Sequence, residues 1–290
     1  QLAENENRIA KTFPKPHTRI ILEPYIAYDL YLFVYCILHI EYCILRSMEY
    51  KYTGIILNKW DVGETDRIYS IYTLEGGKIR SLAKGVRKSH AKLASSLENI
   101  TLADITIVRA RGLGKITGSI VEQNFSALKQ DCDALLETFL SLSIFDKIVD
   151  FDSSDKDVFE LLKNYLTAVD QLAQSEGSEK YLMLRLGFMI KLLDALGYSI
   201  EVSSCVICQS SLDENALNFN SEHGGTLCAS CGKENLGGSL PIKANAIKMM
   251  RLFLKNDIRA HVKVRSTLED CDSVRLVVDD FLRWNTGINI

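Results

Sequence analysis

The chain has none of the short motifs that mark the common nucleotide-binding and hydrolytic enzymes. There is no Gly-x4-Gly-Lys-Ser/Thr loop to cradle a phosphate, no His-Glu-x-x-His to hold a catalytic zinc, and no glycine-flanked nucleophilic serine. An enzyme is therefore not expected. Long apolar runs are missing as well. Within the apolar stretch 26–45 the uninterrupted part is Leu30–Leu38, far short of the roughly 20 residues that span a bilayer. Asp29, His39 and Glu41 are charges or polar groups that a membrane anchor would have to bury, so this stretch reads as a buried or interfacial helix. The first residues are acidic and amide-rich rather than basic, so a secretory leader is not expected and a cytoplasmic location is. Eight cysteines in 290 residues are too few for a disulfide framework. Internal repeats and low-complexity tracts are absent too. What this length allows is two domains, or one domain with an appended module.

What the sequence does have is charge in an uneven distribution. The formal net charge is −3, yet residues 54–118 hold eleven Lys or Arg against six Asp or Glu. Residues 119–290 hold seventeen against twenty-five. Such asymmetry points to an anionic partner for the basic part. The densest stretch is KIRSLAKGVRKSHAK (78–92), with six cations in fifteen positions and no acid.

From Thr53 the pattern is one of short β-like runs broken by turn residues. Five strands are predicted, at 52–58, 66–74, 77–85, 98–110 and 114–123, punctuated by Gly63, Gly76-Gly77, Gly85 and Gly112/Gly114. With a long connection after the third, they fit a small closed barrel of the OB type; a five-stranded sandwich fits the pattern equally well. After Phe125 the period becomes helical. Helices are predicted at 132–151, 157–174 and 180–197, and two more around 243–255 and 267–284. Ser153 or Ser154 is the expected cap of the second, and Gly197 the expected end of the third.

Cys205, Cys208, Cys228 and Cys231 are spaced C-x2-C-x19-C-x2-C. Each CxxC turn can aim two thiolates at one point, and four soft ligands in a tetrahedron suit Zn2+. A site filled by four thiolates has no open position for water, so the expected zinc is structural. His223, inside the spacer, is expected to lie at the surface. The competing reading is four buried or redox thiols, but a thioredoxin-like CxxC would need a βαβ context that is missing here.

Along the third strand, side chains alternate faces, so Lys78, Arg80, Leu82 and Lys84 share one of them. Gly85 then turns the chain into a loop carrying Arg87, Lys88 and Lys92, too charged to bury. Arg109, Arg111 and Lys115 form a second cluster around the next hairpin. On a small barrel, a basic strand face beside basic loops matches a phosphate backbone. A merely solvated face is the competing reading. Trp60, Tyr69 and Tyr72 are the aromatics placed to stack on bases, although Tyr69 and Tyr72 fall on opposite faces and most such rings belong to cores.

The segment GIILNKWDVGETDRIYSIYTLEGGKIRSLAKGVRK, followed by LENITLADITIV, resembles the opening barrel of the RecO family of bacterial recombination mediators. The family pattern of a G-I-V-L strand, a G-E-x-D-R-I turn, a threonine-glycine hairpin and A-K-G-x-R falls here on Gly54–Leu57, Gly63–Ile68, Thr73–Gly77 and Ala83–Arg87. The helical middle and the four-cysteine module ahead of GGSLPIKANAIKMMRLFL resemble the zinc-bearing branch. The resemblance covers about residues 50–290 and places Met48 about where family members begin. It implies an α+β multidomain protein. Residues 48–125 would be a five-stranded OB-type barrel, and 126–290 a helical domain containing the zinc module at 203–235. Residues 1–47 would be an extension outside the fold. It further implies binding of single- and double-stranded DNA, strand annealing, and loading of RecA onto SSB-coated DNA with RecR and RecF. The SSB C-terminal tail would dock on the helical region, at residues no motif identifies, and the protein would work at the nucleoid. DNA contacts carry over to Lys84 and Arg87 of the A-K-G-x-R match; the other cations are an electrostatic expectation. Two readings from other classes remain: a zinc-stabilised OB-fold RNA-binding protein, and a non-catalytic scaffold that uses the barrel for protein contacts alone.

Overall fold

The computed structural model describes residues 48–109, 112–175, 180–212, 217–234 and 237–288. The expectations placed on residues 1–47, including the apolar helix, lie outside this set, as does Arg111. Residues 49–290 form one compact unit. No helix among the described residues is long and apolar enough to cross a membrane.

Five strands form the first half: β1 (Met48–Val62), β2 (Asp66–Thr73), β3 (Gly77–Ala83), β4 (Leu102–Arg109) and β5 (Lys115–Gln123). They close into a barrel in the order β1-β2-β3-β5-β4, so the barrel and not the sandwich is observed. Two contacts decide this. After the long connection 84–101, β5 pairs parallel with β3 at Leu82 and Lys115. At the other seam, the Ile56 amide donates to the Thr101 carbonyl (3.0 Å) and the Ile100 amide to the Ile56 carbonyl (2.9 Å). Inside lie Ile56, Tyr69, Ile71, Ile79, Ile105, Ile107 and Ile116, at alternate positions of their strands. Val86 and Leu97 of the long connection drop into the same core, so this loop caps the barrel while its charged residues stay outside.

From Tyr69 onward strand β2 is buried on both faces, because the helices cover the outer side of that half. Tyr72 meets Phe145 edge-on at 4.9 Å between ring centroids. Both Tyr69 and Tyr72 are thus core residues, at 0% and 2% exposure, and neither can stack on a base.

The helices are α1 (Ser126–Gln130), α2 (Cys132–Ile148), α3 (Lys156–Ala173) and α4 (Tyr181–Ala195), then α5 to α7 described below. Helix α4 runs through the middle of this half and buries nearly every side chain it has. Its Gly187 allows a close approach: a Cβ there would sit 2.1 Å from the Nδ1 of His261, which is wholly buried. Asp155, not Ser153 or Ser154, caps α3. Its carboxylate accepts from the amides of Asp157 (2.8 Å) and Val158 (3.0 Å), because Asp155 is the last extended residue before the helix. Gly197 ends α4 as expected, its amide donating to the Asp194 carbonyl at 3.0 Å.

Between α4 and the last helices the chain makes a small module. Strands β6 (Asn218–Asn220), β7 (Gly225–Leu227) and β8 (Ser239–Pro241) form a sheet in the order β7-β6-β8, with the short α5 (Ala229–Glu234) between β7 and β8. Helix α6 (Ala244–Lys255), a 3-10 turn (Ile258–Lys263) and α7 (Leu268–Thr286) return to pack on α4.

Candidate nucleic-acid interface and metal centre

The turn between β1 and β2 builds the basic loop from beneath. Asp66 accepts from the Gly85 amide at 2.7 Å and from the Thr65 hydroxyl at 2.9 Å, which holds its carboxyl below the usual carboxylate range. Gly85 itself sits at φ +66, a conformation open to glycine, and this turns the chain out of β3. The Arg87 amide donates to the Thr65 carbonyl at 3.0 Å. These bonds give a physical reason for the two sequence patterns, G-E-x-D-R-I and A-K-G-x-R: the aspartate of one holds the glycine of the other.

The loop then advances through successive tight turns, Lys88 to Gly85, Ala91 to Lys88 and Ala94 to Ala91. Apolar Val86 and Leu97 point inward, while Lys84, Arg87, Lys88 and Lys92 are exposed. The β4–β5 hairpin lies alongside, tied by the Ser81 hydroxyl to the Leu113 carbonyl (2.9 Å) and by the Leu82 amide to the Gly114 carbonyl (3.1 Å). That brings exposed Lys115 next to the end of β3. Arg109 is half-buried at the base of the hairpin, its Nε without a hydrogen-bond partner.

The cations are not equivalent. Arg87 Nε lies 3.3 Å from Asp61, which also accepts from Arg67 at 2.6 Å, so part of its charge is already answered. Arg80 is exposed, with its guanidinium 5.3 Å from the Trp60 ring and 4.9 Å from the Phe151 ring. Lys78 departs from the expectation altogether. It is 5% exposed, and its Nζ donates to the Asp146 carbonyl at 2.5 Å, lies 3.9 Å from the Asp146 carboxylate and 4.3 Å from the Phe151 ring. Burial pushes its pKa down, against the pull of Asp146. Lys78 therefore fastens the barrel to α2 and the segment after it, and is buried where the expectation had it projecting with Arg80 and Lys84. Strand alternation put it on the right face; what it could not tell is that the helices cover that end of the face.

The second site is the cysteine cluster. One CxxC turn, closed by the Gln209 amide on the Cys205 carbonyl (2.9 Å), presents Cys205 and Cys208. The other opens α5 with Cys228 and Cys231, where the Gly232 amide donates to the Cys228 carbonyl at 2.8 Å. All four Sγ atoms lie within 4.8 Å of one another. A tetrahedral ion with sulfurs at about 2.3 Å needs them about 3.8 Å apart, and Cys208 and Cys228 are separated by 3.7 Å. The Ser230 hydroxyl and Cys231 amide lower the Cys228 thiol to about 5, and the Ser210 hydroxyl and amide lower Cys208. Cys231 is pushed up to about 12 by its hydrogen bonds to Cys208 and Cys228. Crowded sulfurs with thiolate-stabilising donors fit a divalent metal ion such as zinc. His223 is exposed on the β6–β7 turn and is not among the clustered groups.

Comparison with known proteins agrees with this architecture. A family model described as "Recombination protein O N terminal" matches residues 48–125, and one described as "Recombination protein O C terminal" matches residues 130–290. The DNA repair protein RecO of Dehalococcoides mccartyi is 29% identical over 239 residues, covering 82% of this chain and 91% of that protein. The RecO of Roseiflexus is 31% identical over 222 residues, 76% of this chain and 75% of its own. That of Geobacter sulfurreducens is 26% identical over 201 residues, 69% and 79% respectively. The chain belongs to the RecO family of DNA repair and recombination proteins.

Proposed function

We propose that this chain is a non-enzymatic recombination mediator that holds single- and double-stranded DNA by the phosphate backbone on the rim of its barrel. The observation that carries this is the grouping of exposed Lys84, Arg87, Lys88 and Lys92 on one connection, beside Arg80 and the β4–β5 hairpin with Arg109 and Lys115; Arg111 is added from the sequence alone. Arg80 on β3 and the β4–β5 hairpin belong to the part of an OB barrel, strands 2–3 with the 4–5 loop, that commonly receives oligonucleotides, and the basic β3–β4 connection lies beside them. Strand annealing requires two polyanions to be brought together, and a cationic groove that lowers their repulsion supplies it without an active site. Loading of RecA on SSB-coated DNA with RecR and RecF, docking of the SSB C-terminal tail on the helical half, and work at the nucleoid in the cytoplasm are proposed with it, as the resemblance to the family implies. The metal of the cysteine cluster is zinc, and its role is structural.

The test replaces Lys84, Arg87 and Lys88 by alanine and measures affinity for single- and double-stranded DNA against salt. Each lost phosphate contact reduces the slope of log affinity against log salt by about 0.7–0.9, for all sequences alike. An unchanged slope in a well-folded triple variant rejects this assignment. An RNA of the same sequence run alongside distinguishes the RNA-binding reading, and absence of any salt-dependent binding leaves only the protein scaffold.

A further inference from the structure

Trp60 and Phe151 flank Arg80 and are two rings that phosphate binding does not use. On the outer face of the barrel, Trp60 of β1 is in register with Ile68 of β2, and Ile68 with Leu82 of β3. Arg80 lies two residues before Leu82, on the same face, with its guanidinium between the rings of Trp60 and Phe151. Phe151 is held there by backbone: the Asp152 amide donates to the Lys78 carbonyl at 3.1 Å, so residues 151–152 run beside β3 where β5 does not reach. Trp60 is 38% exposed and Phe151 46%. Large rings are costly to leave in water, and both are held by backbone pairing, Trp60 within β1 and Phe151 by a single bridge to Lys78. The cation between them orients both, and the exposed Lys84 follows on the same strand face.

We infer that Trp60 and Phe151, with Arg80 between them, take the faces of unpaired bases, and so add to the backbone contacts an affinity for single strands that a duplex does not gain. The inference rests on the phosphate-binding reading above and adds base stacking to it. A duplex keeps its base faces against each other and offers these rings nothing; a single strand offers a π-face at every nucleotide, whatever its sequence. Ring–base stacking with an adjacent arginine is the means by which sequence-tolerant single-strand binders gain affinity that does not depend on salt.

The experiment uses the full chain and three probes of equal length: an oligothymidylate, the same backbone made of abasic nucleotides, and a duplex. Trp60→Ala and Phe151→Ala are each expected to weaken oligothymidylate binding about five-fold or more. Binding of the abasic strand and of the duplex stays as it was, with salt slopes unchanged. Trp60→Phe, which keeps a π-face, retains most of the affinity. In a Trp284→Phe background, the emission of Trp60 is quenched by oligothymidylate and not by the abasic strand. Equal losses on all three probes, or full oligothymidylate affinity in folded Trp60→Ala, overturn the stacking. A parent chain that binds none of the probes overturns the DNA reading beneath it instead.

Discussion

Replacing Lys78 by alanine tests the division of the basic segment into a buried and an exposed part. Lys78 and Lys84 share a strand face in sequence, yet only Lys84 is exposed. Truncating Lys78 removes a charged donor from the Asp146 carbonyl, a bond worth about 1.5–3 kcal/mol. It also removes the cation above Phe151, worth about 0.5–1 kcal/mol. Part of the loss is returned, because the native protein no longer has to desolvate an ammonium group, the cost seen in its lowered pKa. Breaking a fully buried pair costs about 3–5 kcal/mol; with the Asp146 side chain 17% exposed, the net here is about 2–4 kcal/mol. For a unit of this size that corresponds to a fall in Tm of roughly 6–12 °C. Lys84→Ala should leave stability within about 0.5 kcal/mol and lower the salt slope of single-strand binding by about 0.7. Thermal unfolding and salt-dependent anisotropy on both variants give the comparison. If Lys78→Ala keeps its Tm and loses salt slope as Lys84→Ala does, the lysine is a surface contact and the burial argument fails.

Cys228→Ser should bind substoichiometric zinc where the parent holds one ion per chain by atomic absorption, and chelator should lower the parent's Tm while leaving the variant's little changed. His261 gives a pH dependence of known sign. Its pKa is lowered from 6.5 to about 4, chiefly by burial, so the unfolded chain takes up the proton first as pH falls. Its contribution is complete only well above pH 6.5, is lost on the way to pH 4, and falls by about 1.5 kcal/mol between pH 6.5 and 5. Urea unfolding of His261→Gln at those two pH values should show a difference smaller by that amount. A chain beginning at Met48 should unfold at the same temperature as the full chain and bind DNA equally, since residues 49–290 form one compact unit; loss of folding on truncation would show that residues 1–47 belong to the fold.

The sequence by itself determined the elements that rest on local chemistry. Period-two apolar runs with glycine turns placed five strands, and 3.6-residue periodicity placed α2, α3 and α4, because burying one face is a constraint each segment meets alone. The four cysteines were legible for the same reason: CxxC is a local turn, and only the meeting of the two pairs was left to the fold. Tertiary structure decided what depends on covering. Barrel rather than sandwich came from two contacts between distant segments, the parallel pairing of β5 with β3 and the bonds of Ile56 with Ile100 and Thr101, which no local pattern encodes. Lys78 and Lys84 have the same alternation and the same residue type; they part because α2 and Phe151 close over one end of the strand and leave the other in water. Trp60 was one of three aromatic candidates until burial removed Tyr69 and Tyr72. Phe151, 71 positions beyond Arg80, reached it only through the packing of α2 on the barrel, since a contact between distant segments is paid for by the whole core and not by either segment.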